Sequence, residues 1–454
     1  MMASLRAPAT LAATLSRPTL LGFGLGSLAT GIFSTTPGVL LLYFLTGTLA
    51  VPAGLAGVAV FLPKAWDVIA DPLMGYLSDR TRSRFGRRRP YLLIGALAMS
   101  ITYVFLFTVP VFESPLASFW YVTILFTLSA TAYTVFAIPY VAMPAEMSED
   151  SDERVRILSY RMTFAMAGAI VGSALAPWLV HVFGGGRHGY ARMSLIVGAV
   201  CAAAMLAAFF ATRRVRLNEW TSTPSGLVQQ LLDTLRNSHF RALALVYLVQ
   251  ILGIGTLIAT APYFAAHVLG AGEALVGAML LVMMGVATLS IPLWNSLALR
   301  WGKKPSYYLA IMLLATSMTG LGWLGPGSSL VPLYALLGVA GLGFGAQQVL
   351  PFAMLTDVIH HDVAGREGVT TGFWVASEKL GLALGPLVAG LILQLSGFRE
   401  GPSSTTLQPA DAIVGIRLAF SLIPGLLLFA SALLLTRCRT TQQAPRVVNA
   451  QARM

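Results

Sequence analysis

The chain has 454 residues, 56% of them hydrophobic and only 11% charged, with a mean hydropathy of +0.75. A soluble domain carries about 25% charged residues, so this composition excludes one and specifies an all-α, polytopic membrane protein. The net charge of +12 does not mark a nucleic-acid binder, because the basic residues fall in short loops between apolar spans and not on one soluble face.

The opening MMASLRAPATLAATLSRPT has arginines and no acids. With no separate apolar region and cleavage site ahead of the first span, it reads as a short cytoplasmic tail. Taking about 20 mostly apolar residues as one crossing, twelve spans are predicted. Those of the first half are 19–46, 54–78, 89–111, 116–144, 157–183 and 190–212. Those of the second are 240–268, 272–299, 305–325, 328–358, 367–396 and 411–437. An even number puts both termini on one side. Of the 30 Lys and Arg, 23 fall on that side, four on the other and three inside spans. Such an asymmetry predicts cytoplasmic termini, and the Ala- and Arg-rich, Lys-poor composition points to a bacterial inner membrane.

The second span carries Lys64, Asp67 and Asp71 at i, i+3 and i+7, which share one face of a helix. Ionisable groups inside a span cost roughly 2.5–3.5 kcal/mol each and face a bundle interior or a wet hollow. An arginine burst follows: Arg80, Arg82, Arg84, Arg87, Arg88 and Arg89. It anchors the topology and forms a candidate cytoplasmic gate through Arg80, Arg87 and Arg88, with Asp79 capping or pairing across the bundles when that side closes.

Between the sixth and seventh spans lies the longest polar break, with a Pro-Ser-Gly turn and an amphipathic pattern at Leu227, Leu231, Leu232 and Leu235. It predicts an N-terminal six-helix bundle (1–212), a cytoplasmic linker with a surface helix (213–239) and a C-terminal six-helix bundle (240–454). The halves also echo one another. Arg84-Phe85-Gly86-Arg87 matches Arg300-Trp301-Gly302-Lys303, Ile138-Pro139-Tyr140 matches Leu350-Pro351-Phe352, and Arg154 matches Arg366, at offsets of 216, 212 and 212. Near-constant spacing suggests duplication, with repeats related by an axis along the membrane normal.

The remaining motifs exclude chemistry more than they suggest it. Cys201 and Cys438 provide neither a disulfide framework nor a metal pair, and His181, His239, His267, His360 and His361 share no ligand spacing, so no metal is expected. Glycine runs such as GLGFG at 341–345 sit in apolar spans and are close-packing positions. Tyr133, Tyr140, Tyr263, Trp374 and Gln347 are expected along the wall of a hollow, the competing role for span aromatics being packing.

Four stretches then carry a resemblance: KAWDVIADPLMGYLSDRTRSRFGRRRPYLL (64–93), YTVFAIPYVAMPAEM (133–147), YRMTFAMAG around Arg161, and EKLGLALGPLVAG (378–390). The chain resembles the glycoside–pentoside–hexuronide:cation symporters of the major facilitator superfamily, the melibiose-permease-like transporters. The resemblance implies two pseudo-symmetric six-helix bundles that rock about a central cavity, moving a small solute with Na⁺ or H⁺ and using no other cofactor. It implies that Asp67 and Asp71 form the cation site with an oxygen from Thr134, and that Lys64, Arg161 and Lys379 are basic groups facing the cavity. A monomer among membrane lipids is expected.

Two departures from that pattern bear on the cargo. Ala70 stands where an amide oxygen would help bind Na⁺, and hard cations need several oxygens, so H⁺ is favoured. The first span has no carboxylate and the fourth has Ala137 at the matching place, against a galactoside and toward an anionic solute. A sugar-type substrate is the leading expectation, with a lysophospholipid or other amphiphile as the alternative and a non-transporting sensor or scaffold as the reading from another class. An enzyme is not expected.

Overall fold

The computed structural model describes residues 15–148, 150–213, 215, 234–362, 367–401 and 406–438. The linker pattern at Leu227, Leu231 and Leu232, the opening tail to residue 14 and Arg366 lie outside the described residues. The regular structure is helical throughout the described residues. In the first half, α1 is Arg17–Tyr43 continued by a wide π-helical turn, Phe44–Thr48. Then come α2 (Ala53–Arg80), α3 (Arg89–Phe107) and α4 (Pro115–Met147). Helix α5 runs through Ser151–Ile170, a π turn Val171–Leu175 and Ala176–Val182, and α6 is Gly186–Thr212.

In the second half, α7 is Ser238–Tyr263 with a π turn Phe264–Val268, followed by α8 (Glu273–Trp301) and α9 (Lys303–Leu321). Helix α10 comes in two pieces, Leu330–Gln347 and Leu350–Asp362. Helix α11 is Glu367–Leu395, and α12 is Ala410–Arg417, a π turn Leu418–Leu422 and Ile423–Arg437. Eleven helices among the described residues are long and apolar enough to cross a membrane. The twelfth helix, α9, falls short on hydropathy because its first turns carry Lys303, Lys304, Pro305, Ser306 and two tyrosines, of which Ser306 and Tyr307 are buried against the bundle.

Local chemistry explains the ends and interruptions. Ser16, Ser114, Asn237 and Ser329 cap helix N-termini with their side chains. The π turns of α5 and α12 directly precede Pro177 and Pro424, whose missing N–H and ring bulk push the preceding carbonyls out of the ordinary ladder. The tenth span, expected unbroken over 328–358, is interrupted at Gln348–Val349, just before the Leu350-Pro351 pair. A residue ahead of proline avoids the helical region, so a helix restarts more readily there than it runs through. The matching Ile138-Pro139 nonetheless lies inside an uninterrupted α4.

The two halves repeat one packing scheme. In the first, α1 packs on α5 and α6, α4 on α2 and α3, and α3 on α6. In the second, α7 packs on α11 and α12, α10 on α8 and α9, and α9 on α12. Gly86 and Gly302 both hold positive φ, at 91° and 92°, so the matched sequence pairs make the same turn. Helices α1 and α7 both end in a π turn, and the chain then turns through positive φ at Ala50 (54°) and Gly270 (70°).

Contacts between the halves are concentrated in three pairings, α2 with α11, α5 with α8, and α1 with α7, with a lighter one between α1 and α11. They gather at the end of the molecule away from the termini. There the backbones touch because glycine allows it. A Cβ on Gly57 would lie 2.9 Å from the Pro386 carbonyl oxygen, one on Gly390 2.4 Å from that of Ala53, and one on Gly277 2.6 Å from that of Ala174. At the terminal end each half is tied within itself, as where Lys304 at the start of α9 donates to the Thr436 and Cys438 carbonyls at the close of α12. The molecule is closed at the far end and open toward the termini.

Candidate functional site

Halfway along α2, Asp67 and Asp71 project from successive turns, and the structure gives them different partners. Asp71 accepts a 2.8 Å hydrogen bond from the Thr134 hydroxyl of α4 and forms an ion pair with Lys379 of α11. Their side chains keep some contact with the open hollow, 20% exposed for Asp71 and 26% for Lys379. Asp67 is 0% exposed, and neither of its carboxylate oxygens has a hydrogen-bond partner. The nearest cation is the Lys64 ammonium, 3.7 Å away, too far for a hydrogen bond. A buried carboxylate left so under-bonded is costly.

Lys64 is held back by rings. Its ammonium lies 5.3 Å from the Phe33 centroid, 5.7 Å from Phe126 and 5.9 Å from Tyr133, within cation–π range of all three. Tyr133 stacks on Phe33 at 4.8 Å, and its hydroxyl meets Ser34 at 3.4 Å. Thr30, Ser34 and Gly38 follow one another at one-turn spacing along α1. Ser34 is exposed and a Cβ on Gly38 would meet nothing within 4 Å, so this stripe faces the hollow. It contributes hydroxyls where no carboxylate was found. Its small residues at i, i+4 and i+8, two of them hydroxylic, were the signal for it in the sequence.

The other expected wall residues are distributed differently. Tyr140, two turns of α4 below Tyr133, is fully buried; its hydroxyl donates to the Phe23 carbonyl and accepts from Ser27 at 2.9 Å. Arg161 of α5 stacks its guanidinium 4.9 Å from the Tyr140 ring and is 8% exposed. Trp374 does not reach the hollow: it is buried, stacked on Tyr247 at 4.3 Å and edge-on to Phe352. Gln347 is buried with both side-chain polar atoms unpartnered, whereas its neighbour Gln348 is exposed. Glu378 faces α7, beside Tyr247, a helical step away from the face that carries Lys379.

Tyr263 belongs to the far-end seam and not to the neighbourhood of the acids. Its hydroxyl meets Thr46 of α1 at 2.6 Å, and its ring is edge-on to Tyr43 at 5.0 Å. Two links reinforce that closure. The Gly401 amide donates to the Thr46 carbonyl at 3.1 Å, and the Ala53 amide donates to Glu400 at 3.1 Å. Helix α2 begins at Pro52 with no side-chain cap of its own, so Glu400 from the other half fills that role. Nothing in the sequence around Glu400 marks it as a cap for residue 53.

The candidate gate residues form a charge clamp inside the first half. Glu146 at the close of α4 accepts from Arg87 and, at 2.5 Å, from Arg88; Arg88 reaches on to Asp79 at 3.0 Å. Arg80 instead lies over the Tyr76 ring at 4.1 Å. With the terminal end open, Asp79 thus pairs within its own half and not across the bundles. The second half repeats the clamp with Lys303 and Asp357, at 2.6 and 2.7 Å. The acids of both clamps, Glu146 and Asp357, went unassigned in the sequence; they follow the repeated proline by seven and six residues, one position out of register.

Comparison with known proteins gives this geometry a setting. The family described as MFS/sugar transport protein matches residues 22–442. The putative glycoside/cation symporter YagG of Escherichia coli strain K12 is 27% identical, over 95% of this chain and 94% of that protein. The sodium-dependent lysophosphatidylcholine symporter 1-A of Danio rerio is 27% identical, over 90% and 84%. Among solved structures, a bacterial homolog to the human lysosomal transporter Spinster, inward-facing and occupied, superposes with a TM-score of 0.68. It is 14% identical and covers 93% of this chain and 95% of that one.

Proposed function

The chain belongs to the MFS/sugar transport protein family, and from that premise and the geometry above we propose that it is a cation-coupled symporter of a small sugar-type solute working by alternating access. The observation that carries this reading is Asp71, shared between Thr134 of its own half and Lys379 of the other. One carboxylate thereby connects ion loading to the attachment between bundles. A cation on Asp71 removes the charge that holds Lys379, frees α11 from α2 at mid-depth and leaves an ammonium to be met by the substrate. Binding of ion and solute then favour each other by linkage.

The coupling ion is a proton in this reading. Lys64 and Lys379 already stand beside the two acids, Thr134 is the one side-chain hydroxyl bonded to them among the described residues, and Ala70 adds no oxygen, a poor set for a hard cation. Two close carboxylates in a low-dielectric hollow share a proton readily. The substrate then lies below Tyr133 against Ser34, Lys64 and Lys379. The protein is a multi-pass membrane protein, here assigned to a bacterial inner membrane as a monomer among its lipids, both termini cytoplasmic, needing neither nucleotide nor other cofactor and performing no catalysis. Reconstituted vesicles with a trapped pH dye, challenged with a panel of glycosides and uronides, test this. A transported solute acidifies the lumen of wild-type vesicles, and Asp71→Asn abolishes the signal while the protein stays folded and inserted. Accumulation against a gradient by Asp71→Asn would refute the site, and Na⁺-dependent uptake without acidification would replace the coupling ion.

A further inference from the structure

Glu378 takes no part in that mechanism, although it is an acid at mid-depth on α11. It directly precedes Lys379 but turns about 100° away from it, toward α7. Among the described residues it forms no ion pair, and the Lys379 ammonium is already bonded to Asp71. Its side-chain partner is the Tyr247 hydroxyl. That phenol is fixed in place. Tyr247 is 2% exposed, stacks 4.3 Å from Trp374, one turn before Glu378, and meets Phe352 edge-on at 6.3 Å. Beyond it, Tyr307 of α9 lies within electrostatic reach of Tyr247 and donates to Gln250, one turn along α7. Glu378 thus looks onto a row of neutral polar groups inside the second half.

The charges on the helices around it are accounted for. Helix α2 brings Asp67 and Asp71, each facing a lysine, and α10 brings the uncharged Phe352. With Lys64 set against Asp67 and Lys379 against Asp71, an ionised Glu378 is a surplus negative charge met by one neutral phenol, which a low-dielectric interior penalises. The neutral acid suits the place, since its O–H donates while its other oxygen accepts from Tyr247. Glu378 is only half-buried, so the hollow gives a proton a way in and out.

We propose that Glu378 is a second proton-carrying site, placed in the second half as Asp71 is in the first, so that two protons accompany each solute. The proposal rests on the symporter reading and sets its ion count. The step is a proton transfer alone: an O–H bond to Glu378 forms with a proton from water on one side of the membrane and gives that proton to water on the other. Since Glu378 pairs with nothing in the first half among the described residues, glutamine, its neutral mimic, leaves the rocking motion intact.

The protein by itself gives the first test. In a pH jump on purified full-length protein followed by infrared difference spectroscopy, the wild type loses a carboxylic-acid C=O band as the pH rises. Glu378→Gln lacks that band, Tyr247→Phe moves it as the hydrogen bond is lost, and Asp71→Asn retains it. A wild type without such a band, or a band that survives Glu378→Gln, would overturn the site. The second test uses vesicles with the potential clamped at zero by valinomycin and K⁺ and a gradient of one pH unit. The probe is the first of a glycoside and uronide panel, phenyl glucoside and phenyl glucuronide included, to acidify the lumen. Two protons set an accumulation limit of about 100-fold and one proton a limit of about tenfold. The wild type should pass the lower limit and Glu378→Gln should stop at it. A tenfold limit in both overturns the second carried proton and leaves the symporter reading standing. No exchange of any panel member by the wild type removes the symporter reading, and the carried proton with it, while the infrared band still decides whether Glu378 holds a proton.

Discussion

Asp71 of α2 and Lys379 of α11 are 308 residues apart and form an ion pair that crosses from one half of the molecule to the other. The far end is sealed above it and the terminal end stands open below.

Breaking this pair from one side should cost more than removing it. Asp71→Asn leaves an ammonium in the hollow with no bonded anion, and Lys379→Gln leaves the carboxylate to Thr134 alone. Each single variant is expected to lose about 2 kcal/mol, below the roughly 3–5 kcal/mol of a fully buried pair because both side chains keep some solvent contact. The double variant Asp71→Asn/Lys379→Gln should recover at least half of that. Thermal unfolding in detergent measures all three, and strictly additive losses would show that the two groups do not interact.

Glu400 supplies the cap that α2 lacks, and it does so only while the far end is closed. Glu400→Ala should weaken that state by about 1 kcal/mol, a roughly fivefold shift in population. A cysteine placed at Ser34 reports it, since Ser34 faces the open side and both native cysteines are buried. Labelling by a bulky thiol reagent applied from the terminal side should slow in Glu400→Ala. An unchanged or faster rate would count against the latch.

The glycine seam sets a steric condition on the transport cycle. Gly390→Val places a side chain where even a Cβ sits 2.4 Å from the Ala53 carbonyl, and backbone on both sides leaves nowhere to yield. The far end should then fail to close, so that counterflow of a transported probe stops while binding persists. Full exchange by this variant would mean that the seam separates by a different route.

Ala50 sits at a φ of 54°, and Gly270 at the equivalent turn of the other half at 70°. A left-handed conformation costs a non-glycine residue about 1–2 kcal/mol, partly offset by the larger unfolded-state entropy of glycine. Ala50→Gly should therefore stabilise the protein by roughly 0.5–1 kcal/mol and Gly270→Ala should destabilise it, read as opposite shifts in Tm.

Several features of the hollow were legible residue by residue. Lys64, Asp67 and Asp71 reveal themselves because charge inside an apolar span has few tolerable places to go. The Gly86 and Gly302 turns, the paired clamps and the matched packing schemes follow from a repeat visible as three short echoes. The aromatic candidates were harder. Tyr133 meets Lys64, but Trp374 and Tyr263 are consumed by packing and by the seam, because a tyrosine or tryptophan is equally at home in a core, at an interface or along a hollow.

The sequence by itself determined the solvent, the number of crossings and the candidate ion-binding helix, since those depend on hydropathy and on spacing within single helices, where period and charge are read directly. Which cation meets which acid, which half caps α2, which end is closed and which phenol stands beside Glu378 were decided by tertiary structure alone. Those facts depend on contacts between helices hundreds of residues apart, and in a bundle without a regular register between its elements, local spacing carries no information about such meetings.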